Sequence, residues 1–284
     1  MICYQLDVPV ITPGKAEYTP KLFAYIPQNN LDIPLNSDRP GLIIFPGGGY
    51  HFTYDGEAEP VALNFTSAGV CVFILRYSCA PAFFPQQLCE GLWCVKYVRE
   101  HAEEYGIDPT NISVMGFSAG GHLCASVGTL WQQPDIWKDY LPGKPVEYRP
   151  DKMVLCYPVI SSAPDCIHMG TYKNLTHSHM DDESLMRLNS LDLQVTDQTP
   201  PAFLWHTFED ESVPVKNSLL FAEAEERAGN IVELHIYPHG YHGLATGDYT
   251  VKPDFAFDVP HTIHDWMHQA VRFIFDENLS KRKQ

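Results

Sequence analysis

Positive charge is scarce in this chain. Its 284 residues carry 19 Lys and Arg against 35 Asp and Glu, a formal net charge of −16. Such an acidic surface repels phosphate backbones and anionic lipid, so neither nucleic acid nor a membrane surface is expected as a partner. Long apolar runs are missing too, since none approaches the ~20 residues of a bilayer span. The first residues, Met1 to Asp7, lack the basic start and apolar centre of a secretory signal. None of the eight cysteines falls in a C-x-x-C pair, and several lie inside apolar segments. That is the pattern of reduced, buried thiols, and it points to a cytoplasmic protein. There is no internal repeat and no low-complexity stretch.

What is present reads as one globular α/β domain over residues 1–284. Apolar residues make up 45% and charged residues 19%, a composition that supports a large core. Short apolar runs alternate with amphipathic stretches. Strands are predicted at 22–26, 41–45, 70–75, 111–115, 153–157, 202–206 and 231–237. Helices are predicted at 60–68, 85–101, 118–130, 215–228 and 261–275. Strand–helix alternation implies a mostly parallel sheet with helices on both faces. The polar, His-rich stretch at about 160–199 breaks the rhythm and reads as an insertion over the C-terminal edge of the sheet, in the place of a lid.

Gly116-Phe117-Ser118-Ala119-Gly120-Gly121-His122 joins a predicted strand to a predicted helix. In that context G-x-S-x-G places a serine on a strained turn with its hydroxyl above the sheet and a helix N-terminus beneath it. Ser118 is the candidate nucleophile. Pro46-Gly47-Gly48-Gly49-Tyr50 ends an earlier strand. Its bare backbone N–H groups can face a developing negative charge, and Ala119, just after the serine, offers another donor. Gly48 and Gly49 are the preferred donors, with Gly47 not separable from them. Tyr50-His51 follows the glycines where a phosphate loop needs Lys-Ser/Thr.

A serine hydroxyl needs a base. His242 lies in the loop after the last predicted strand, at the same sheet edge as Ser118, with His239 as the other choice. The acid belongs between serine and histidine in chain order, and Asp210 holds the best place in the loop after strand 202–206. Glu209 and Glu211 flank it. Tyr50 and His122 border the site and are candidates for substrate contact.

With Ser118, Asp210 and His242 in that order, the chain resembles the α/β-hydrolases, within them the bacterial esterase/lipase group that includes acetyl-xylan and feruloyl esterase-like enzymes. Four blocks spanning about 40–245 carry the resemblance: Pro46 to Tyr50, Gly69 to Pro81, Gly116 to His122, and Asp210 to Val215 with His242-Gly243. Two details depart from relatives, Pro46 where hormone-sensitive-lipase-like enzymes have His, and the Arg76-Tyr77-Ser78-Cys79-Ala80-Pro81 ending. The resemblance implies hydrolysis of small carboxylic esters, among them acetylated sugars, with no metal and no cofactor. Expected partners are therefore a small-molecule or oligosaccharide ester, with self-association left open. A peptidase or amidase and a silent binding module are the competing readings. Prolyl peptidases carry a large N-terminal propeller where only about 40 residues precede the glycine loop here, so peptide work is not expected, and a silent module would be expected to lose part of the triad.

Other clusters read as structural. His168, His177 and His179 with Asp181 and Asp182 occupy a loop-like segment. His261, His264 and His268 recur near helical spacing without the zinc-protease glutamate. Among Trp93, Trp131, Trp137, Trp205 and Trp266, core packing is the default, with Trp131 and Trp137 the candidates for stacking on a sugar.

Overall fold

The strands that read as continuous apolar runs line up side by side. The computed structural model describes residues 1–28, 38–248, 250–251, 263 and 265–281. In chain order the elements begin β1 (Ile2–Asp7), β2 (Lys21–Ile26), β3 (Arg39–Phe45), α1 (Glu59–Ser67), β4 (Cys71–Arg76), α2 (Gln86–Glu100) and α3 (Ala102–Tyr105). They continue with β5 (Ile107–Phe117), α4 (Ala119–Leu130), β6 (Lys152–Cys156), α5 (Met169–Leu175), α6 (Glu183–Leu188) and β7 (Ala202–Thr207). The chain closes with α7 (Lys216–Arg227), β8 (Val232–Tyr237), α8 (Trp266–Phe275) and α9 (Glu277–Lys281). One eight-stranded sheet has the order β1-β2-β4-β3-β5-β6-β7-β8. β1 runs antiparallel to β2 and β2 antiparallel to β4, while β4 through β8 are parallel. This is the expected mostly parallel α/β-hydrolase architecture.

The period-2 side-chain alternation of the strands builds two cores. Ile43, Phe45, Phe73, Val114, Leu155 and Leu204 face α2, α4 and α7. Leu42, Ile44, Val72, Met115, Val154 and Trp205 face α1 and α8. Burial on both faces is why these strands are uniformly apolar.

Three expectations change in detail. β1 escaped prediction because it is an edge strand whose residues are exposed or half-buried, so no apolar run marks it. The segment at 160–199 is not loop throughout. It holds α5, capped by the His168 ring accepting from Thr171 N–H, and α6, capped by the Asp182 carboxylate accepting from Leu185 N–H. Helices this short leave too little periodicity to be read. The last helix is described from Trp266, and His261 and His264 lie outside the described residues. Seven cysteines are buried and Cys3 is exposed on β1.

Candidate active site

Parallel strands bring their C-terminal ends to one edge, and the loops that leave that edge carry the predicted chemistry. Phe45 of β3 pairs with Gly116 of β5, Phe117 with Cys156 of β6, and Thr207 of β7 with Tyr237 of β8. The glycine loop, Ser118, Asp210 and His242 each follow one of these ends.

Ser118 has φ 54° and ψ −118°, a backbone conformation that non-glycine residues rarely adopt. Its neighbours hold it there. The Ser118 N–H donates to Cys156 C=O at 3.0 Å, and the Ser118 C=O accepts from His122 N–H and Val159 N–H, each at 3.1 Å. The turn fits because a Cβ on Gly116 would lie 1.9 Å from Gly120 O, and one on Gly120 would lie 2.0 Å from Phe45 O.

The structure brings Ser118, His242 and Asp210 into contact. His242 Nε2 is 2.7 Å from Ser118 Oγ, and His242 Nδ1 is 2.6 Å from Asp210 Oδ2. With Asp210 accepting from Nδ1–H, Nε2 is the nitrogen left free to accept the serine proton. The carboxylate is fixed further by Ser212 N–H and Val213 N–H, both donating to Oδ1 at 2.9 Å. Burial alone would push the Asp210 carboxyl up. Hydrogen bonds from His206 and His242, the His242 charge and the Val213 N–H outweigh that and hold it well below the usual carboxylate range. His239, the other base considered, pairs instead with Glu209 at 2.9 Å in the solvent.

His206 was not singled out in the sequence. It sits near the end of β7 with its side chain fully buried, and its Nε2 lies 3.3 Å from Asp210 Oδ2. The same nitrogen is 2.9 Å from Val213 O, and Nδ1 is 2.8 Å from Ser218 Oγ. The carbonyl requires Nε2–H, while the Ser218 hydroxyl can serve Nδ1 as donor or acceptor. Only an x-x-x spacing to Asp210 could have flagged it.

The glycine loop resolves an alternative that composition left open. Gly47 N–H donates to Glu57 Oε2 at 2.7 Å and is therefore occupied. Among the described residues, the N–H groups of Gly48, Gly49 and Ala119 have no such partner. Gly47 also packs tightly on the elbow, since a Cβ there would lie 2.8 Å from Phe117 O and 3.0 Å from Ser118 Cβ.

Two expectations for substrate contact meet a different arrangement. Tyr50 and His122 are both buried, and Tyr50 OH lies 3.0 Å from His122 Nδ1. His122 Nε2–H donates to Asn189 O at 2.9 Å, and burial lowers the ring to about 4, so it is neutral. The two side chains link the glycine loop, α4 and the segment after α6. A different element, α5, also reaches the loop, where Asn174 Nδ2 donates to Gly49 O at 2.8 Å. Neither candidate for sugar stacking is available: Trp131 and Trp137 are buried, Trp137 with its Nε1–H on Leu130 O. His177 and His179 stand with ring centroids 6.2 Å apart, and His168 and Asp182 serve as helix caps.

Comparison with known proteins places this geometry in context. The chain is similar to endo-1,4-beta-xylanase B of Butyrivibrio fibrisolvens, 35% identical over 236 residues that cover 81% of this chain. It is similar to the acetylxylan esterase of Xylanibacter ruminicola, 28% identical over 221 residues and 76% of this chain. It spans 35% of the length of the first protein and 43% of the second. The crystal structure of an acetyl ester-xyloside bifunctional hydrolase from Caldicellulosiruptor lactoaceticus matches with a TM-score of 0.76 and 38% identity, covering 94% of this chain and 91% of that one. The BD-FAE family profile matches residues 31–224. With its α/β-hydrolase sheet and that match over most of its length, the chain belongs to the BD-FAE family.

Proposed function

We propose that the chain is a serine carboxylic-ester hydrolase for short acyl groups, with acetylated sugars such as xylo-oligosaccharides as its substrate class. The observation that carries the reading is the continuous alignment Ser118–His242–Asp210 at 2.7 and 2.6 Å. Similarity to proteins named for acetyl esters supports the choice of acyl group.

In this mechanism Ser118 Oγ attacks the ester carbonyl as His242 Nε2 takes its proton. Asp210 stabilises the imidazolium and keeps the ring in place. The N–H groups of Gly48, Gly49 and Ala119 receive the oxyanion, each donor contributing ~3 kcal/mol. The orientation of Ala119 at the start of α4 adds the positive end of a helix dipole. The alcohol leaves with the proton from His242, and water activated by the same base releases the acid. Tyr50, His122 and Asn174 act as positioning residues for the glycine loop, because their side chains are spent on one another and on main-chain groups.

The test is turnover of p-nitrophenyl esters from C2 to C12 beside acetylated xylo-oligosaccharides and a peptide amide. Activity is expected to fall with acyl length and to disappear in S118A. Retained turnover in S118A overturns the assignment of the nucleophile, and preference for the amide overturns the ester reading.

A further inference from the structure

Glu57 has no part in the acyl-transfer scheme, yet it lies inside the assembly that performs it. It ends a 3-10 turn, Asp55–Glu57, ahead of α1, and its side chain is buried at 2% exposure. Oε2 accepts from Gly47 N–H at 2.7 Å and Oε1 accepts from Tyr157 OH at 2.8 Å. The Tyr157 oxygen in turn accepts from Ala245 N–H at 2.9 Å, three residues beyond His242. The Tyr157 ring stands edge-on to His242 with centroids 5.0 Å apart. Tyr157 itself has φ 37° and directly follows Cys156, whose carbonyl anchors Ser118 N–H.

One carboxyl–phenol pair therefore touches the glycine loop, the base loop and the strand end that pins the elbow. Each Glu57 oxygen accepts from a donor, the bonding pattern of an anion. Burial holds this carboxyl above its ordinary range, and the hydrogen bonds from Tyr157 OH and Gly47 N–H and the attraction of His242 offset only part of that rise. Burying a carboxylate without a cation is costly, and among the described residues no ion pair includes Glu57. Arg76 pairs with Asp55, two residues before Glu57, at 2.8 Å. A residue kept at that cost merely to fill space would be better replaced by an apolar one.

We infer that Glu57, acting through Tyr157, is a positioning residue of this site: it tethers the glycine loop to the base loop and places a second negative charge near His242. This rests on the ester-hydrolase reading for its chemistry. The groups around His242 are Asp210, Ser118, Tyr157, Glu57 and His168, the last partly buried on the segment before α5. Around Glu57 stand Tyr157, Tyr54, Tyr77 and Cys156.

The experiment compares wild type, E57Q and Y157F in two assays. One is the pH dependence of Ser118 modification by an organophosphonate ester, which needs the nucleophile, base and glycine loop but no particular acyl substrate. The other is kcat and KM for p-nitrophenyl acetate, with folding checked by circular dichroism. Loss of a nearby negative charge makes an imidazolium easier to deprotonate, so in E57Q the acid limb moves down by ~0.5 pH unit or more. Y157F keeps the ring and the carboxylate but cuts the tether. It is expected to lower the modification rate and kcat ~10-fold with KM within about two-fold. A role confined to packing would lower the melting temperature and leave the limb and the rates of folded protein unchanged, which overturns the inference. If E57Q does not fold, Y157F decides. Wild type that is modified at Ser118 but hydrolyses no ester refutes the substrate reading while the modification rates still judge Glu57. Wild type that does neither overturns both.

Discussion

Asp210 carries the heaviest demand on a single side chain. Its Oδ1 takes two backbone N–H groups, and its Oδ2 is shared by two imidazoles, at 2.6 Å from His242 and 3.3 Å from His206. Because these contacts hold the carboxyl well below its ordinary range, it stays ionised throughout the working pH of a histidine base. No loss of rate above about pH 4 is then expected from Asp210, since an unperturbed Asp already titrates near ~3.9. In D210N one of the two acceptor oxygens becomes an NH2 donor, so the amide cannot accept from both the imidazoles and the Ser212 and Val213 N–H groups, and the His242 tautomer is no longer enforced. The expected fall in kcat is ~10⁴-fold, the size known for the matching change in a serine protease triad. H206Q keeps the carboxylate but loosens one of its supports, so its kcat should fall by only ~10-fold at unchanged KM. Steady-state kinetics on p-nitrophenyl acetate separates the two. Asp210 and His242 were legible because each follows a strand and the chain order fits. His206 was hidden because a histidine inside an apolar strand shows nothing of the carboxylate it will meet.

At the scale of elements, strand ends and tight turns set the site. The turn from β5 into α4 is closed by Gly116 and Gly120 packed against backbone, and backbone cannot yield as a flexible side chain can. G120A places its methyl carbon 2.0 Å from Phe45 O and 2.5 Å from Pro46 O. Urea unfolding should report a loss of ~3 kcal/mol or more, or failure to fold. Gly49 contrasts with it. A Cβ there meets nothing within 4 Å, and only its φ of 63° resists substitution, so G49A should cost ~1 kcal/mol and leave the protein folded. The alternation of strands and helices was readable because burial on both faces makes the strands uniformly apolar. The helices α5 and α6 were not, because seven and six residues respectively are too few for a 3.6-residue period to stand out.

For the molecule as a whole, the buried carboxyl of Glu90 sets a pH dependence of stability. It accepts from Ser78 N–H at 2.8 Å, Ser78 OH at 2.5 Å and Gln86 Nε2 at 2.6 Å. Burial nevertheless raises it from 4.5 to about 7. A carboxyl whose folded value is raised contributes stability that is complete below 4.5 and lost as pH rises through about 7. E90Q, which cannot ionise, should therefore gain on wild type between pH 4 and 8, by an amount on the order of 3 kcal/mol. Denaturant unfolding of both proteins across that range measures the difference. Equal slopes with pH would show that Glu90 is not the group responsible.

The sequence by itself determined the alternating architecture, the strained serine turn and the glycine loop. Each rests on interactions within a few residues, such as side-chain periodicity, turn chemistry and helix caps, so local composition is enough to reveal it. Tertiary structure alone decided that Gly47 N–H is occupied, that Tyr50 and His122 face inward, that Trp131 and Trp137 are core, and that Glu57 meets a tyrosine 100 residues away. The partner of a buried polar group is chosen by how distant segments pack, and a linear pattern holds no record of that distance.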